Sequence, residues 1–563
     1  MRNRRPINDL AHVQGDTTTP LWDMTIPQVL SRAAAQFPDN DAAVFPQSGL
    51  RWTYADFARE VDRLAGGLLQ LGVQKGDRVG IWSPNRPEWL LTQFATARIG
   101  AILVCVNPAY RTFELEYALN NVGCSTLITA QSFKSSHYIA MLMDLAPELA
   151  ATSPGELQSD RLPHLRRVIA LGDHIPAGMI GFAQVMALGD KVSSAALDAV
   201  TETLSPDDPI NIQFTSGTTG SPKGACLTHH NIVNNAKHTT DTMHFTDQDR
   251  LCIPVPFYHC FGMVMGTLGC VTKGATMVIP GEGFDPAATL QAVSDEKCTA
   301  LYGVPTMFVA ELALPDFDIY DLSHLRTGIM AGAICPIEVM KRVQRDMHMT
   351  GVTIAYGMTE TAPVSFQSDI DDPLDKRVST VGRIHPHVTC KIVDDTGATV
   401  PVGTQGELWT RGYSVMKGYW NDPAKTADSI TEDRWMKTGD LAVIDAEGYC
   451  DITGRVKDMI IRGGENVYPR EIEDFLFTHP KVALAQVFGI PDETFGEVVC
   501  AWIVPADPTV TPDDIRTFCS ANIAYYKVPL HIRIKDSFPM TVTGKPQKFV
   551  MRDEMCAELT PAD

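Results

Sequence analysis

The sequence predicts an α/β fold: a large N-terminal domain of parallel sheets covered by helices, followed by a small α+β C-terminal domain. Helix-like and strand-like segments alternate from residue 52 onward, as βαβ units do. The 563 residues exceed what one hydrophobic core usually serves. After a polar, glycine-led stretch at residues 454–458 the pattern changes, so we expect domains at 1–456 and 457–563.

The strands are predicted where short apolar runs lie between turn residues. These runs are 76–82, 102–106, 124–128, 167–171, 210–214, 299–304, 326–330 and 352–355. Helices are predicted at 86–98 and 285–297 and behind Pro305, Pro336 and Pro469, because proline favours the first turn of a helix.

Composition and charge restrict the class of protein. Apolar residues make up 44% of the chain and charged residues 20%, which is typical of a globular protein that folds in water. The formal net charge of -20 disfavours binding to nucleic acid or to an anionic membrane surface. An anionic substrate such as ATP must therefore be held by local donors.

Cysteines and termini indicate a reducing compartment. The thirteen cysteines include no C-x-x-C pair, so neither a disulfide framework nor a zinc site is predicted. No apolar run is long enough to span a bilayer. Arginines at positions 2, 4 and 5 precede no apolar segment, so we expect a cytoplasmic protein, with the mitochondrial matrix as the alternative.

The segment 215–224 is predicted to bind phosphate. Its glycines allow tight turns, while its hydroxyls and lysine donate to an anion. It is not a Walker A loop, because Pro222 precedes the lysine and Gly224 follows it. A surface turn is the alternative. The candidate phosphate-binding residues are Thr215, Ser216, Gly217, Thr218, Thr219, Gly220 and Lys223.

A second motif, at 356–361, follows an apolar strand. Tyr356 can stack on a base, Thr359 can donate to a phosphate oxygen, and Glu360 can hold Mg²⁺, which prefers one or two carboxylates plus substrate phosphates. Asp440, in a turn after Trp435, is suited to accept the hydroxyls of a ribose.

These motifs resemble the signatures of the adenylate-forming superfamily, which includes acyl-CoA synthetases, luciferases and the adenylation domains of peptide synthetases. The segments 94–101, 107–110 and 114–117 look like those of medium-chain fatty-acyl-CoA ligases. The resemblance implies an ATP-dependent acyl-CoA ligase. Such an enzyme converts a carboxylic acid to acyl-AMP with release of pyrophosphate, then transfers the acyl group to coenzyme A and releases AMP.

The resemblance also implies roles for individual residues. Lys545, Glu360 and Thr359 match catalytic positions, with Glu360 also the Mg²⁺ ligand. Lys457 matches the hinge of the mobile domain. Positions matched to the adenine, the ribose and the pantetheine chain of coenzyme A are Ala331, Gly332, Ala333, Tyr356, Gly357, Met358, Asp440, Arg455, Gly463 and Gly464.

The predicted acyl pocket is uncharged. Its candidates are Phe257, His259, Met263, Tyr302 and Met330. Residues 255–269 contain no carboxylate to pair with an ammonium, which disfavours amino-acid substrates. An enzyme that loads a carrier protein, a luciferase-like oxygenase and a catalytically silent nucleotide-binding protein are the alternatives. The sequence also leaves open whether the protein forms a homodimer.

Overall fold

The computed structural model describes residues 4–215, 222–333, 335–463, 465–492, 494–541 and 544–559. The strands in these ranges are β1 (His12–Gln14), β2 (Asp41–Phe45), β3 (Leu50–Thr53), β4 (Arg78–Trp82), β5 (Ile102–Cys105), β6 (Thr126–Thr129), β7 (Arg167–Ala170), β8 (Ile180–Gly181), β9 (Pro209–Thr215), β10 (Lys223–Thr228), β11 (Arg250–Cys252), β12 (Thr276–Val278), β13 (Ala300–Gly303), β14 (Thr327–Ala331), β15 (Gly351–Gly357), β16 (Val364–Gln367), β17 (Arg383–Ile384), β18 (Val388–Val393), β19 (Gly406–Gly412), β20 (Gly418–Tyr419), β21 (Met436–Ile444), β22 (Cys450–Arg455), β23 (Ile460–Arg462), β24 (Glu465–Val467), β25 (Val482–Asp492), β26 (Gly496–Pro505) and β27 (His531–Ile534).

The helices in the same ranges are α1 (Ile26–Gln36), α2 (Tyr54–Gln70), α3 (Pro87–Arg98), α4 (Thr112–Val122), α5 (Tyr138–Leu145), α6 (Phe182–Gly189), α7 (Ser194–Thr201), α8 (His229–Thr242), α9 (Gly269–Lys273), α10 (Pro286–Asp295), α11 (Pro305–Leu312), α12 (Ile337–Asp346), α13 (Leu374–Ser379), α14 (Pro423–Ser429), α15 (Pro469–Leu476), α16 (Pro512–Asn522) and α17 (Lys548–Leu559). A π-helix covers Phe261–Leu268. None of the described helices combines the length and the apolar composition needed to cross a bilayer.

Local sequence accounts for where key helices begin. At the start of α2, the Thr53 hydroxyl accepts from the Asp56 amide, and the Asp56 carboxylate accepts from the Thr53 amide. This capping box satisfies two donors at the helix end. Thr228 and Asn231 form the same arrangement at the start of α8, directly after β10. Helix α8 is thereby tied to the end of the β9–β10 hairpin.

Two largely parallel sheets carry most of the structure. The first has eight strands in the order β20-β10-β9-β5-β4-β6-β7-β8, and the second has nine in the order β17-β16-β15-β14-β13-β11-β12-β2-β3. The main hydrophobic core includes Trp82, Trp89 and Phe94. A second core lies on the other face of the nine-stranded sheet, beneath α10–α12. The carboxyl ends of parallel strands are where ligands bind in such folds.

Two further sheets follow along the chain. One is antiparallel, with the order β1-β18-β19-β21-β22, and the other contains β24-β23-β26-β25 with β27 paired to β26. The chain passes from one to the other through a short 3₁₀ segment, Val456–Asp458. The predicted α/β class with a C-terminal domain is confirmed. The antiparallel sheet over residues 388–455 is an addition to the predicted parallel architecture.

Candidate active site

The predicted phosphate loop joins two antiparallel strands. Thr215 ends β9 and Lys223 begins β10, and the two residues are paired in register. Residues 216–221 lie outside the described residues, so the predicted contacts of Ser216, Gly217, Thr218, Thr219 and Gly220 stay predictions. The hairpin nevertheless places a hydroxyl and an ammonium at the mouth of the loop.

Glu360 lies beside this hairpin. Its carboxylate Oε1 accepts from the Thr215 hydroxyl at 3.3 Å and from the Tyr419 hydroxyl at 2.8 Å. The side chain is only 6% exposed. The Lys223 Nζ lies 4.9 Å from the centre of the Tyr419 ring. Glu360 and Lys223, which the sequence analysis assigned separately, are thus connected through one aromatic side chain.

Tyr419 is a site residue that the sequence analysis did not identify. It belongs to β20, a two-residue strand that pairs with β10, and Tyr419 is in register with Ala225. Burial raises the pKa of its hydroxyl, with Glu360 as the next cause, so the hydroxyl remains a donor at neutral pH. No local signal marks this residue, because only the pairing of β20 with β10 brings it to Glu360.

The donor set around Glu360 is suitable for Mg²⁺. One buried carboxylate with neighbouring hydroxyls leaves coordination positions for water and substrate phosphate oxygens, as this hard cation prefers. Thr359, which precedes Glu360 in the same 3₁₀ turn, interacts through its side chain with the Cys260 thiol. The predicted pair Thr359 and Glu360 therefore sits in one buried turn at the carboxyl end of β15.

A second polar group contains Tyr356, Asp440 and Arg455. The Tyr356 hydroxyl donates to Asp440 Oδ2 at 2.6 Å, and Arg455 Nε lies 3.0 Å from Asp440 Oδ1. Register explains this proximity, because Asp440 on β21 pairs with Arg455 on β22. Burial and the Asp440 charge raise the pKa of Tyr356, and the Asp440 charge raises the pKa of Arg455. The carboxylate is thus held between two donors.

Lys545 extends from a turn of the C-terminal region. Its amide donates to the Thr541 hydroxyl at 3.0 Å, and the Thr541 amide donates to the Lys545 carbonyl at 2.8 Å. Gly544, with φ of 76°, supplies the left-handed conformation that this turn requires. Burial lowers the pKa of the Lys545 ammonium, as does Arg455, while Asp440 and Glu360 act in the opposite direction.

Lys545 lines a cavity of about 60 Å³ at the carboxyl ends of β14 and β15. The other lining residues are Val255, Pro256, His259, Cys260, Phe261, Met265, Val304, Ala331, Gly332, Ala355, Tyr356, Gly357, Pro363 and Val364. Burial and the nearby Lys545 charge lower the pKa of His259 to about 3, so its ring is neutral at pH 7. Among these described lining residues there is no carboxylate.

The predicted acyl-pocket residues occupy different positions. His259 lines the cavity, whereas Phe257, Met263 and Tyr302 are buried in the main core next to it. Met330 lies in the second core, on the other face of the nine-stranded sheet. Side chains alternate along a strand, so β14 directs Ala331 to the cavity and Met330 away from it. The assignment of Met330 to the pocket is therefore corrected.

The remaining predicted residues lie at the edges. Ala333 follows Gly332 at the exposed end of β14, and Met358 is partly buried against the main core. Lys457 is exposed in the 3₁₀ segment after Arg455, and Gly463 is exposed with φ of 60°. None of these four is among the described residues that line the cavity. Gly464 lies outside the described residues.

A larger cavity, of about 340 Å³, lies on the other side of the Lys545 turn. Its walls come from the carboxyl ends of strands in the parallel sheets and from the C-terminal region. The residues are Ser83, Pro84, Asn85, Pro108, Phe133, Lys134, Pro254, Pro256, Tyr258, Glu282, Gly283, Phe284, Thr306, Met307, Met540, Thr541 and Gly544. The turn that carries Lys545 therefore forms a wall of both cavities.

Comparison with known families decides the identity of this arrangement. The family model described as "AMP-binding enzyme" matches residues 30–420, and the one described as "AMP-binding enzyme C-terminal domain" matches residues 471–545. The chain belongs to the AMP-binding enzyme family. The resemblance to adenylate-forming enzymes that its motifs predicted is thereby confirmed.

Relatives of the whole chain agree with this assignment. The putative acyl-CoA synthetase YngI of Bacillus subtilis (strain 168) is 50% identical over 94% of this chain and 97% of its own length. The mitochondrial medium-chain acyl-CoA ligase ACSF2 of Danio rerio is 47% identical over 97% of this chain and 91% of its own length. The predicted enzyme class, an AMP-forming acid–thiol ligase that uses ATP and coenzyme A, is confirmed.

Solved structures of this family share the fold. The anthranilate CoA ligase AuaEII, crystallised in complex with anthranoyl-AMP, superposes with a TM-score of 0.85 and 26% identity. The match covers 96% of this chain and 99% of that chain. The architecture described above is therefore that of an AMP-binding enzyme with its C-terminal domain.

Proposed function

We propose that this AMP-binding enzyme activates a medium-chain fatty acid or a similar apolar acid and transfers it to coenzyme A. The observation that carries the acyl class is the part of the cavity wall formed by Phe261, Met265 and the neutral ring of His259. An apolar tail is stabilised by such a wall, whereas a second charge on the substrate would be desolvated without a partner. The medium-chain specificity in the name of the ACSF2 relative supports the same choice.

In the first step, the substrate carboxylate attacks the α-phosphorus of ATP, the bond to the β-phosphate breaks, and pyrophosphate leaves. Two anions repel each other, so the residues neutralise charge and align the reactants rather than transfer a proton. We assign Thr215 and Lys223 to the β- and γ-phosphates, and Thr359 and Lys545 to the α-phosphate. Their positions around the Glu360 turn and the cavity support this assignment.

Glu360 is the residue that we propose to hold Mg²⁺. A bound ion there would neutralise the charge of the substrate phosphates. Because Glu360 is buried, its carboxylate is oriented by hydrogen bonds from the Tyr419 and Thr215 hydroxyls. Asp440, between Tyr356 and Arg455, is assigned to the ribose hydroxyls. Ala331–Ala333 with Tyr356–Met358 are assigned to the adenine, at the exposed end of β14, and the inner wall of the cavity, with Phe261 and Met265, to the acyl tail.

In the second step, the thiol of coenzyme A attacks the acyl carbonyl and AMP leaves. We propose that the pantetheine arm enters through the larger cavity, which Met540, Thr541 and Gly544 now border. These residues belong to the turn that carries Lys545, so the turn withdraws before the thiol reaches the acyl group. We place the domain boundary at 456/457 and the hinge at Lys457, and rotation would present Gly463 and Gly464 instead.

A panel of carboxylic acids tests the function. Straight-chain acids from butanoate to hexadecanoate, together with benzoate and anthranilate, are incubated with ATP, Mg²⁺ and coenzyme A, and AMP release is measured. We expect the highest kcat/KM for acids of about eight to twelve carbons, because each buried methylene contributes about 0.8 kcal/mol until the cavity is filled. A preference for the aryl acids, or AMP release that does not depend on coenzyme A, would contradict the proposal.

The compartment and the oligomeric state also belong to this proposal. We propose a cytoplasmic enzyme, as the bacterial relative YngI supports, although the ACSF2 relatives are named mitochondrial. Fractionation of the source cells distinguishes the two compartments. Light scattering at several protein concentrations tests whether the enzyme is a homodimer.

A further inference from the structure

Three neighbouring parallel strands form the sheet side of the cavity. Ala331 at the end of β14 and Ala355 near the end of β15 are paired in register, and both line the cavity. Val304, directly after β13, lines it beside them. These three side chains are small or short, so they do not fill the space next to the sheet. The depth of the cavity therefore depends on the residues that precede them on the same face of the three strands.

The layer beneath contains Tyr302, Ile329 and Thr353. Side chains alternate along a strand, so residues two positions earlier face the same side. Register pairs Tyr302 with Ile329, and Ile329 with Thr353. All three are 0% exposed. Tyr302 is much the largest of them and forms the floor under Val304.

Tyr302 also contacts the opposite wall of the cavity. Its ring centre lies 5.3 Å from that of Phe261, with an angle of 30° between the planes. Its hydroxyl points at the Met265 carbonyl oxygen, 3.4 Å away, and at the Met243 sulfur, 4.0 Å away. Phe261 and Met265 both line the cavity. Tyr302 therefore fills the space between the sheet and the π-helix.

The π-helix is packed too closely against its neighbours to move away from the cavity. A Cβ on Gly262 would lie 2.4 Å from the Pro256 carbonyl oxygen, and one on Gly266 would lie 3.2 Å from the Ile253 side chain. These glycines show that the helix is packed closely against its neighbours, and close-packed interiors resist displacement. The depth of the cavity is then set by the floor rather than by movement of the wall.

The other end of the floor is polar. The Thr353 hydroxyl donates to the Gly328 carbonyl at 3.1 Å and accepts from the Gln367 amide at 3.2 Å. An alkyl tail directed there would separate hydrogen-bonded groups without replacing their partners. The apolar direction for a growing tail is consequently toward Tyr302, Phe261 and Met265.

We propose that Tyr302 sets the longest acyl chain that this enzyme accepts. The inference rests on the proposed function, since it requires that the acyl group occupies this cavity. One strand layer spans roughly 6.6 Å, which is the length of about five methylene groups in an extended chain. Removal of the Tyr302 ring opens that layer to the substrate.

Tyr302→Ala tests the proposal with the straight-chain acid panel. For the wild type we expect kcat/KM to fall steeply beyond the medium-chain acids, because longer tails meet the ring. In the variant, the ratio of kcat/KM for tetradecanoate to that for octanoate should rise at least tenfold, given that each newly buried methylene contributes about fourfold. Tyr302→Leu should move the limit in the same direction by a smaller amount.

Two control variants distinguish a change in cavity depth from a general loss of protein stability. Tyr302→Phe removes only the hydroxyl and should keep the wild-type chain-length profile. Phe308→Ala removes a ring of similar size from the second core, on the other face of β13, and should lower stability without a change of profile. If Tyr302→Ala does not fold, Tyr302→Leu carries the test.

The outcomes are distinguishable. An unchanged profile in both Tyr302→Ala and Tyr302→Leu, with the wild type active on medium-chain acids, overturns the role of Tyr302 and leaves the proposed function standing. The same change in Phe308→Ala as in Tyr302→Ala also overturns it. A wild type that releases AMP with none of the acids overturns the proposed function itself.

Discussion

We expect removal of the Lys545 ammonium to slow the first half-reaction far more than the second. Lys545 is the only lysine among the described residues that line the smaller cavity. Burial lowers its pKa, so the charge is poorly hydrated and interacts strongly with an anion placed beside it. Loss of one such donor costs about 2.7–4 kcal/mol of transition-state stabilisation, or roughly 10²–10³-fold in rate. Lys545→Ala should lower acid-dependent pyrophosphate–ATP exchange by about that factor.

The second half-reaction should tolerate the same change. Supplied acyl-AMP and coenzyme A give thioester directly, and its formation should fall less than about threefold if the turn with Lys545 withdraws before this step, as we propose. Lys535→Ala is the control, because Lys535 lies over the Trp502 ring, 4.0 Å from its centre, and not among the lining residues. An equal loss of both half-reactions in Lys545→Ala would refute the proposal that Lys545 acts in adenylation only.

The pH dependence gives an independent readout. The Lys545 pKa is lowered from 10.5, so the active ammonium form is present at low pH and is lost as pH rises through that lowered pKa. Adenylation should therefore decline on the alkaline side at a pH below 10.5. Thioester formation from supplied acyl-AMP should not show this decline. A common alkaline limb in both reactions would assign it to another group.

Three further changes have defined outcomes. Tyr419→Phe removes a charge-assisted hydrogen bond to Glu360, worth about 1.5–3 kcal/mol, and should raise the Mg²⁺ concentration for half-maximal pyrophosphate exchange about tenfold. Asp440→Asn weakens the contacts with Tyr356 and Arg455 and should raise the KM for ATP about tenfold or more, with an unchanged KM for coenzyme A. Glu311 is 1% exposed and burial raises its pKa, so Glu311→Gln should become more stable than the wild type as pH rises above about 4.5.

Each of these has a measurement that can contradict it. Tyr413→Phe is the control, because the Tyr413 hydroxyl accepts from the Asn235 side chain at 3.4 Å. A Mg²⁺ titration that is identical in Tyr419→Phe and Tyr413→Phe would show that the Tyr419 hydroxyl does not act on Glu360. Equal rises in the KM for ATP and for coenzyme A in Asp440→Asn would indicate general damage. For Glu311, the folded protein retains a proton that the unfolded chain releases, so equal melting-temperature differences at pH 5 and pH 8 would exclude the buried neutral acid.

Much of the site could be predicted from the sequence because its motifs are local. The loop before Lys223, the turn with Thr359 and Glu360, and the glycine before Lys545 each combine a backbone requirement with a chemical group in a few consecutive residues. Such motifs can be recognised without knowing which other segments pack against them. The alternation of elements similarly predicted parallel sheets, because a βαβ unit is itself contiguous in the chain.

Other features depended on which strands are neighbours. β14 is buried on both faces, so its apolar run contains no alternation from which to assign Met330 to one core and Ala331 to the cavity. Tyr419 reaches Glu360 only because β20 pairs with β10. The antiparallel sheet over residues 388–455 was likewise not predicted.

By itself, the sequence determined the family and predicted the alternation of elements and the residues proposed to carry charge to the nucleotide, since these are properties of short segments. The tertiary structure alone decided that Tyr302 packs against Phe261, that Tyr419 connects Lys223 to Glu360, and that the Lys545 turn forms a wall of both cavities. These contacts join residues far apart in the chain. Register and packing between strands create them, and no local pattern specifies register between distant strands.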